Sequence, residues 1–200
     1  PELPGPSDLV INEVLFNPLP AGADFVELYN RSEKVVDLAR VRLASIDPVS
    51  SHIKGVAAML GAGRLFFPGE YLVLTRYPDK VNRGYHVPYP GRLIPAKGFP
   101  SLPDDHGTVL LLDKSLEVMD RFEYDESMHF ALLDNQEGVS LERIHFDRAA
   151  NDPSNWHSAS FSSGFGTPTY KNSQFAEVSR EKTAISIDPE VFSPDNDGYD

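Results

Sequence analysis

The sequence predicts an all-β fold built from short antiparallel strands, and three observations support this prediction. Apolar runs of about four to eight residues alternate with Gly, Pro, Asn and Asp along the chain. Seventeen prolines and fourteen glycines are spread over the 200 residues, which is too frequent for long helices. No segment of about eleven residues carries apolar side chains at the i, i+3 and i+4 positions of an amphipathic helix. The pattern therefore favours an antiparallel sandwich or barrel.

Eight apolar runs are predicted to form strands because they are rich in Val, Leu, Ile, Tyr and Phe and are bounded by turn residues. In chain order they cover residues 9–16, 25–30, 34–38, 41–44, 70–75, 108–113, 118–124 and 139–144. Period-two alternation is clear in the seventh run, where Phe122 and Tyr124 lie on one face and Arg121 and Glu123 on the other. Residues 113–117 then form a hairpin-sized connection between two of these strands.

Residues 78–105 are less regular and contain five of the prolines between positions 88 and 103. Their length and composition indicate a loop that wraps one edge of the sandwich, with a binding lid as the alternative. Aromatic side chains in and beside this loop are predicted to be exposed and to form a recognition surface. These candidate ligand-surface residues are Tyr77, Tyr85, Tyr89 and Phe99.

Composition excludes several functions. Thirty acidic residues against eighteen basic ones give a net charge of −12, so phosphate backbones and anionic membranes repel the chain. We therefore expect no nucleic-acid partner. The absence of cysteine excludes disulfides, thiol catalysis and cysteine-ligated metals. No run approaches the ~20 apolar residues of a membrane span, so we expect no direct membrane insertion.

No catalytic signature appears along the chain, so we predict that it is not an enzyme. The nucleophile elbow, the phosphate-binding loop and the dinucleotide fingerprint are all missing. The six histidines have no metalloprotease spacing, and Asp104-Asp105-His106 is interpreted as a solvated loop. Trp156 stands beside a turn-rich tail and is predicted to bury its ring at one end of the sandwich.

Several motifs, in the correct order, resemble the lamin tail domain family as found in bacterial surface proteins. They begin with Ile11-Asn-Glu-Val-Leu-Phe-Asn-Pro18 and Asp24-Phe-Val-Glu-Leu-Tyr-Asn30, and they end with Gly164-Phe-Gly-Thr-Pro168 and Tyr170-Lys-Asn172. The resemblance covers about residues 7–172 and implies an immunoglobulin-like β-sandwich that acts as a non-catalytic interaction module. Residues 100–106 depart from the usual family pattern, which leaves the local geometry open there.

Glu13 and Glu27 belong to these family motifs and lie in two adjacent predicted strands. Two carboxylates in neighbouring strands are compatible with a glycosidase-type pair. Because the family that the motifs resemble is not hydrolytic, we interpret them instead as strand-face carboxylates paired with Arg42 or Arg64.

The last ten residues, 191–200, resemble the start of immunoglobulin-like domains in gliding-motility and type IX secreted proteins of Bacteroidetes. This resemblance implies three units: a lamin-tail-like sandwich over 7–170, a linker over 171–182, and the first strand and acidic turn of a second domain over 183–200. It also implies a large parent protein that is secreted or displayed outside the outer membrane. Asp195, Asp197 and Asp200 flank a glycine turn and form a candidate Ca²⁺ site, the alternative being a plain acidic turn.

The resulting prediction is a non-catalytic interaction or spacer module that binds a protein or a glycan at the cell surface and contacts the adjacent domains of its own chain. The alternatives are an accessory domain of an extracellular hydrolase and a carbohydrate-binding module that uses the loop tyrosines. No cofactor is expected, apart from calcium at the C-terminal acidic turn.

Overall fold

A computed structural model describes residues 1–47, 49–58 and 63–176. Within these ranges the chain forms twelve strands, one short α-helix and five single-turn 3₁₀ helices. The strands are β1 (Leu9–Leu15), β2 (Phe25–Asn30), β3 (Val36–Asp37), β4 (Val41–Ile46), β5 (Ile53–Ala58), β6 (Leu65–Phe66), β7 (Tyr71–Thr75), β8 (Leu93–Pro95), β9 (His106–Asp113), β10 (Val118–Asp125), β11 (Leu141–Arg143) and β12 (Trp156–Ser158), and the helix is α1 (Pro78–Gly84).

The strands form two facing sheets and one small ribbon. The larger sheet has the order β12-β11-β1-β2-β7-β8, the smaller one has the order β10-β9-β4-β5, and β3 pairs with β6. All pairs are antiparallel except β7 with β8. This arrangement is an immunoglobulin-like antiparallel β-sandwich, which confirms the predicted fold class.

The main core lies between the two sheets, as alternation along the strands requires. On β9, Val109 and Leu111 point into this core, whereas Leu110 and Leu112 pack on the opposite face with Ala44. The ring of Trp156 is 3% exposed and stacks on Phe122 at a centroid distance of 3.6 Å. The prediction that Trp156 buries its ring is therefore confirmed.

The outer face of the larger sheet is also covered. Side chains of β1, β2 and β7 on that face pack against α1, β8 and the turn that joins them, with Val81 of α1 1% exposed. The residues that form this second hydrophobic cluster are Leu15, Ala23, Phe25, Val73, Val81, Tyr85, Val87 and Leu93. The region predicted as a loop thus contains a helix and an edge strand. Proline marks a helix start there rather than a loop, because Pro78 occupies the first turn of α1, where a missing N–H costs nothing.

Residues 99–103 close one end of the sandwich. Phe99 and Leu102 are each 4% exposed and belong to the main core. The hydroxyl of Tyr124 donates to the Pro103 carbonyl at 3.0 Å. A Cβ at Gly107 would lie 2.4 Å from that hydroxyl oxygen, so only glycine allows this contact. Within the segment that departs from the family pattern, residues 100–106, Pro100 and Leu102 are buried, whereas residues 103–106 are exposed.

The C-terminal part of the described chain, residues 165–176, runs across the outer face of the larger sheet beside α1. Asn172 is 5% exposed, and the Ala176 N–H donates to the Ile144 carbonyl at 2.9 Å. Residues 171–176, which were predicted to begin the linker, thus pack against the domain. Residues 177–182 and the predicted second domain over 183–200 lie outside the described residues, and that division of the chain stays a prediction.

Candidate functional site

Three glutamates form a buried cluster on neighbouring strands of the larger sheet. Glu13 of β1 lies directly opposite Glu27 of β2 on one side and Glu142 of β11 on the other. All three residues are 0% exposed. The predicted pairing of Glu13 and Glu27 with Arg42 or Arg64 is wrong. Arg42 donates to the carbonyls of Ala39 and Val41, and Arg64 donates to the carbonyl of Gly91.

The partners of this cluster come mostly from the C-terminal segment, residues 165–176. The Thr167 N–H donates to Glu13 Oε1 at 2.8 Å, and the Thr169 N–H donates to Glu27 Oε2. The Gln174 N–H and the Ser173 hydroxyl both donate to Glu142 Oε2 at 2.8 Å. Each carboxyl group therefore binds backbone of the segment, which is how residues distant in sequence hold it against the sheet.

An asparagine pair completes the attachment. Asn172 donates from its amide nitrogen to the carbonyls of Asn12 and Arg143, both at 2.9 Å. Asn12 in turn donates to Glu27 Oε1 at 2.8 Å and to the Asn172 amide oxygen at 2.6 Å. These contacts explain the closing motif that ends at Asn172, because its side chain binds two backbone carbonyls of the larger sheet, one on β1 and one on β11.

Burial of the cluster shifts its protonation. Removal from water raises the pKa of Glu13 from 4.5 to about 8, and the charge of Glu142 adds to this rise. Burial and the neighbouring Glu13 raise the pKa of Glu27 as well. The Thr167 hydroxyl lies 2.7 Å from Glu142 Oε1 and 3.2 Å from Glu13 Oε2, yet it has one proton to donate. A protonated Glu13 that donates to Thr167 satisfies both contacts, in agreement with its raised pKa.

This geometry does not suit a glycosidase-type pair. Such a pair must contact a sugar and, in an inverting enzyme, hold a water between the two carboxyl groups. Glu13 and Glu27 are instead covered by the C-terminal segment and bound to its amides. The cluster therefore anchors that segment, and the candidate surface for function lies elsewhere.

The candidate recognition surface is a row of three adjoining pockets at the end of the sandwich closed by residues 99–103, here called the loop-end groove. The acidic pocket, lined by Glu123 and Asp125, has a volume of about 320 Å³. The central pocket, lined by Asp24 and Phe99, has a volume of about 360 Å³, and the basic pocket, lined by Lys80 and Arg83, has a volume of about 320 Å³. Ser101 lines both the acidic and the central pocket, and Arg76 and Tyr77 line both the central and the basic pocket. The acidic and the basic pocket therefore each adjoin the central pocket.

The groove changes sign along its length. Glu123 and Asp125 line the acidic pocket beside Lys54, whose ammonium group pairs with Asp47. Arg76, Lys80 and Arg83 line the basic pocket with one acid, Asp79. In the central pocket burial raises the pKa of Asp24 to about 6, the charge of Asp104 adds to the rise, and Arg76 opposes it. A ligand with separated charges would match such a gradient.

The structure divides the four predicted ligand-surface residues into two groups. Tyr77 is 49% exposed and lies in the groove, with Lys80 Nζ 4.8 Å from its ring centroid. Tyr89 is 52% exposed outside the groove, with the Arg92 guanidinium 4.3 Å from its ring centroid. Both remain candidates.

The expected exposure of Phe99 and Tyr85 is wrong, because both side chains serve packing. Phe99 is 4% exposed and packs in the main core at the end of the sandwich. Tyr85 packs edge-on against Phe25 at 5.7 Å beneath the cover of the outer sheet face. Its hydroxyl donates to the Gly138 carbonyl at 2.8 Å.

The predicted metal and loop residues fall in two places. Asp195, Asp197 and Asp200 lie outside the described residues, so the calcium site stays a prediction. Asp104, Asp105 and His106 are exposed near the acidic pocket, with Asp105 Oδ2 3.1 Å from His106 Nδ1. Within the described part of the chain, no group of three or more His, Asp or Glu side chains is arranged to hold a metal ion.

Fold and sites together define a two-sheet immunoglobulin-like module with a buried carboxyl anchor and a surface groove. Residues 3–126 match the Lamin Tail Domain family, and the chain belongs to this family. No curated protein matches it. Among the helices of the described residues, none is long and apolar enough to cross a bilayer.

One similar solved structure is that of a DUF4876 family protein from Bacteroides thetaiotaomicron, with 12% sequence identity and a TM-score of 0.47. The alignment covers 70% of this chain and 63% of that protein, so the chain spans less than two thirds of its length.

Proposed function

We propose that this lamin tail domain is a non-catalytic interaction module that binds an extended segment of a partner protein along the loop-end groove. The observation that carries the proposal is the adjacency of three pockets, in which the half-exposed aromatic side chain of Tyr77 lines both the central and the basic pocket. Aromatic and charged side chains on loops held by a rigid sandwich are typical of recognition surfaces.

Tyr77→Ala tests the proposal, with Phe67→Ala as a matched control. The two side chains are about equally exposed, at 49% and 48%, and they flank opposite ends of β7. The 200-residue chain is immobilised and exposed to surface proteins of the organism that makes it. We expect Tyr77→Ala to lose the retained partner and Phe67→Ala to keep it. Equal retention by both variants would contradict the proposal.

Glycan binding is the second candidate, favoured by the half-exposed rings of Tyr77 and Tyr89. One face of an exposed aromatic ring suffices to stack on a sugar, and the cations beside both rings occupy the other. This candidate predicts that Tyr77→Ala and Tyr89→Ala each abolish retardation in a polysaccharide-containing gel without lowering the melting temperature. Unchanged retardation of both variants would exclude these rings.

The wider setting is part of the same proposal. We place the module in a large secreted or surface-displayed bacterial protein, beside a second immunoglobulin-like domain that begins near residue 183 and carries the Asp195, Asp197 and Asp200 calcium site. A role as accessory domain of an extracellular hydrolase is a variant of this proposal. Fractionation of the native protein with sequencing of its terminal peptides tests both, since a cytoplasmic chain without further domains would contradict them.

A further inference from the structure

The acidic pocket contains a buried hydroxyl without a partner. Ser45 of β4 is 3% exposed, and within the described part of the chain its Oγ has no hydrogen-bond partner. It lies opposite Val109 of β9 in the sheet and lines the acidic pocket. Most buried polar groups in proteins are hydrogen-bonded, and an orphaned one calls for a specific explanation. A ligand atom in the pocket would supply the missing partner.

The walls of the acidic pocket are largely carbon. Ile46, Pro103 and Met128 line it together with the buried ring of Tyr124. With a volume of about 320 Å³, the pocket accepts an aliphatic stem that is several methylene groups long. A purely ionic ligand would leave these apolar walls unused.

The surroundings of the acidic pocket carry excess negative charge. Five exposed acids lie near the start of β9 and the end of β10: Asp104, Asp105, Glu123, Asp125 and Glu126. Of the nearby cations, Lys54 pairs with Asp47 at 3.1 Å and Arg121 pairs with Glu123, so the charges of Arg121 and Glu123 cancel and the other four acids carry the excess. The pocket therefore attracts a positively charged group.

We propose that the acidic pocket binds the lysine or arginine side chain of a partner protein. The cationic head would enter the pocket and donate to Ser45 Oγ, close to the Glu123 and Asp125 carboxylates that line the pocket, and the aliphatic stem behind it would pack against Ile46, Pro103 and Met128. Because the acidic pocket adjoins the central pocket at Ser101, a segment bound along the groove would place one side chain in it. This inference rests on the proposed function and adds the chemistry of the residue that the groove selects.

An NMR titration of the ¹⁵N-labelled 200-residue chain with capped Gly-X-Gly tripeptides tests the inference. The peptides differ only in X, which is lysine, arginine, norleucine or glutamate, and are used at millimolar concentration because one side chain binds weakly. We expect the lysine or arginine peptide to shift the amide signals of Ser45, Thr108 and Asp125. The norleucine and glutamate peptides should not shift them.

Three variants complete the test. Ser45→Ala and Asp125→Asn should each weaken binding of the basic peptide about tenfold or more, the loss of one charge-assisted hydrogen bond. Glu33→Gln, an exposed acid at the opposite end of the sandwich, should leave binding unchanged. Ser45→Ala should also fold normally, because it removes an orphaned polar group from a buried position.

Two outcomes would overturn the inference. One is the absence of shifts in the acidic pocket, even when the peptide shifts the signals of Arg76 and Tyr77; the proposed function would then survive and this assignment would fail. The other is an equal response to norleucine or glutamate, which would show that positive charge is not selected. Loss of partner binding in the Tyr77→Ala test is a separate readout, so the two failures can be told apart.

Discussion

Glu13 and Glu142 face each other across β1 and β11, both fully buried, and the single hydroxyl of Thr167 lies between their carboxyl groups. This relationship joins the first strand of the sandwich to a residue more than 150 positions later in the chain. It makes residues 165–176 part of the domain and gives one buried proton a structural role.

Replacement of Glu13 by Gln should be tolerated at pH 6 and favourable at pH 9. The amide has the shape of the protonated acid, accepts from Ser140 and the Thr167 N–H, and donates to Thr167 Oγ1. Glu13→Ala should instead cost about 2–4 kcal/mol, because it leaves buried donors unpaired and a cavity behind. Urea unfolding of both variants checks this, and a large loss for Glu13→Gln at pH 6 would show that the native carboxyl group is ionised.

Stability should fall as the pH rises from 6.5 to 8. The folded pKa of Glu13 is raised from 4.5 to about 8, so its contribution is complete below pH 4.5 and is lost as the pH rises through about 8. The raised pKa of Glu27 acts in the same direction. One such proton gives a slope of about 1.4 kcal/mol per pH unit inside this window.

His129 sets the lower limit of that window. Burial lowers its pKa from 6.5 to about 4, so its contribution is present above pH 6.5 and is lost as the pH falls through about 4. Between pH 4.5 and 6.5 the two effects oppose each other. Urea unfolding of the wild type and Glu13→Gln between pH 6.5 and 8 isolates the glutamate, and equal slopes for the two proteins would contradict the assignment.

Gly166→Ala should destabilise the domain by about 1–3 kcal/mol, the usual cost of overpacking. A Cβ at this position would lie 2.7 Å from the ring of Tyr85, where the C-terminal segment crosses the cover of the sheet. Gly91→Ala is the control, because nothing lies within 4 Å of its added Cβ. Thermal unfolding measures both, and similar melting temperatures would show that the segment is loosely attached.

Tyr85→Phe and Tyr77→Phe should differ although both remove one hydroxyl. The Tyr85 hydroxyl donates to the Gly138 carbonyl at 2.8 Å in a part-buried site, so its loss should cost about 1 kcal/mol. Tyr77 is 49% exposed, and its variant should stay within about 0.5 kcal/mol of the wild type. A larger loss for Tyr77→Phe would reverse the roles that the structure gives to these two residues.

Much of the sandwich could be predicted because its central strands have alternating or continuous apolar runs. The eight predicted strands correspond to β1, β2, β3, β4, β7, β9, β10 and β11. β5 was not predicted, because its residues are mostly exposed and include Gly55, which has a φ of +60°. α1 and β8 were not predicted because their region is rich in proline. Proline content shows where backbone N–H groups are missing, but it does not show which side chains are buried against the sheet.

The sites were harder to predict than the fold. The adjacency of Glu13 and Glu27 follows from two neighbouring strands, but Glu142 joins them only through the register of β11, which sequence spacing does not give. Ser45 ends an apolar run and shows no sign of a buried orphan hydroxyl. Tyr77 was identified as an aromatic loop residue, whereas the pockets around it depend on how residues 99–103 close the sandwich.

We propose that this lamin tail domain binds a partner protein through the loop-end groove. The most direct measurement places a photo-crosslinking amino acid at position 77, and separately at the equally exposed position 67, in the parent protein in its own cells. We expect a light-dependent adduct with one partner protein at position 77 and none at position 67. An adduct at position 67 alone, or none at either position, would contradict it.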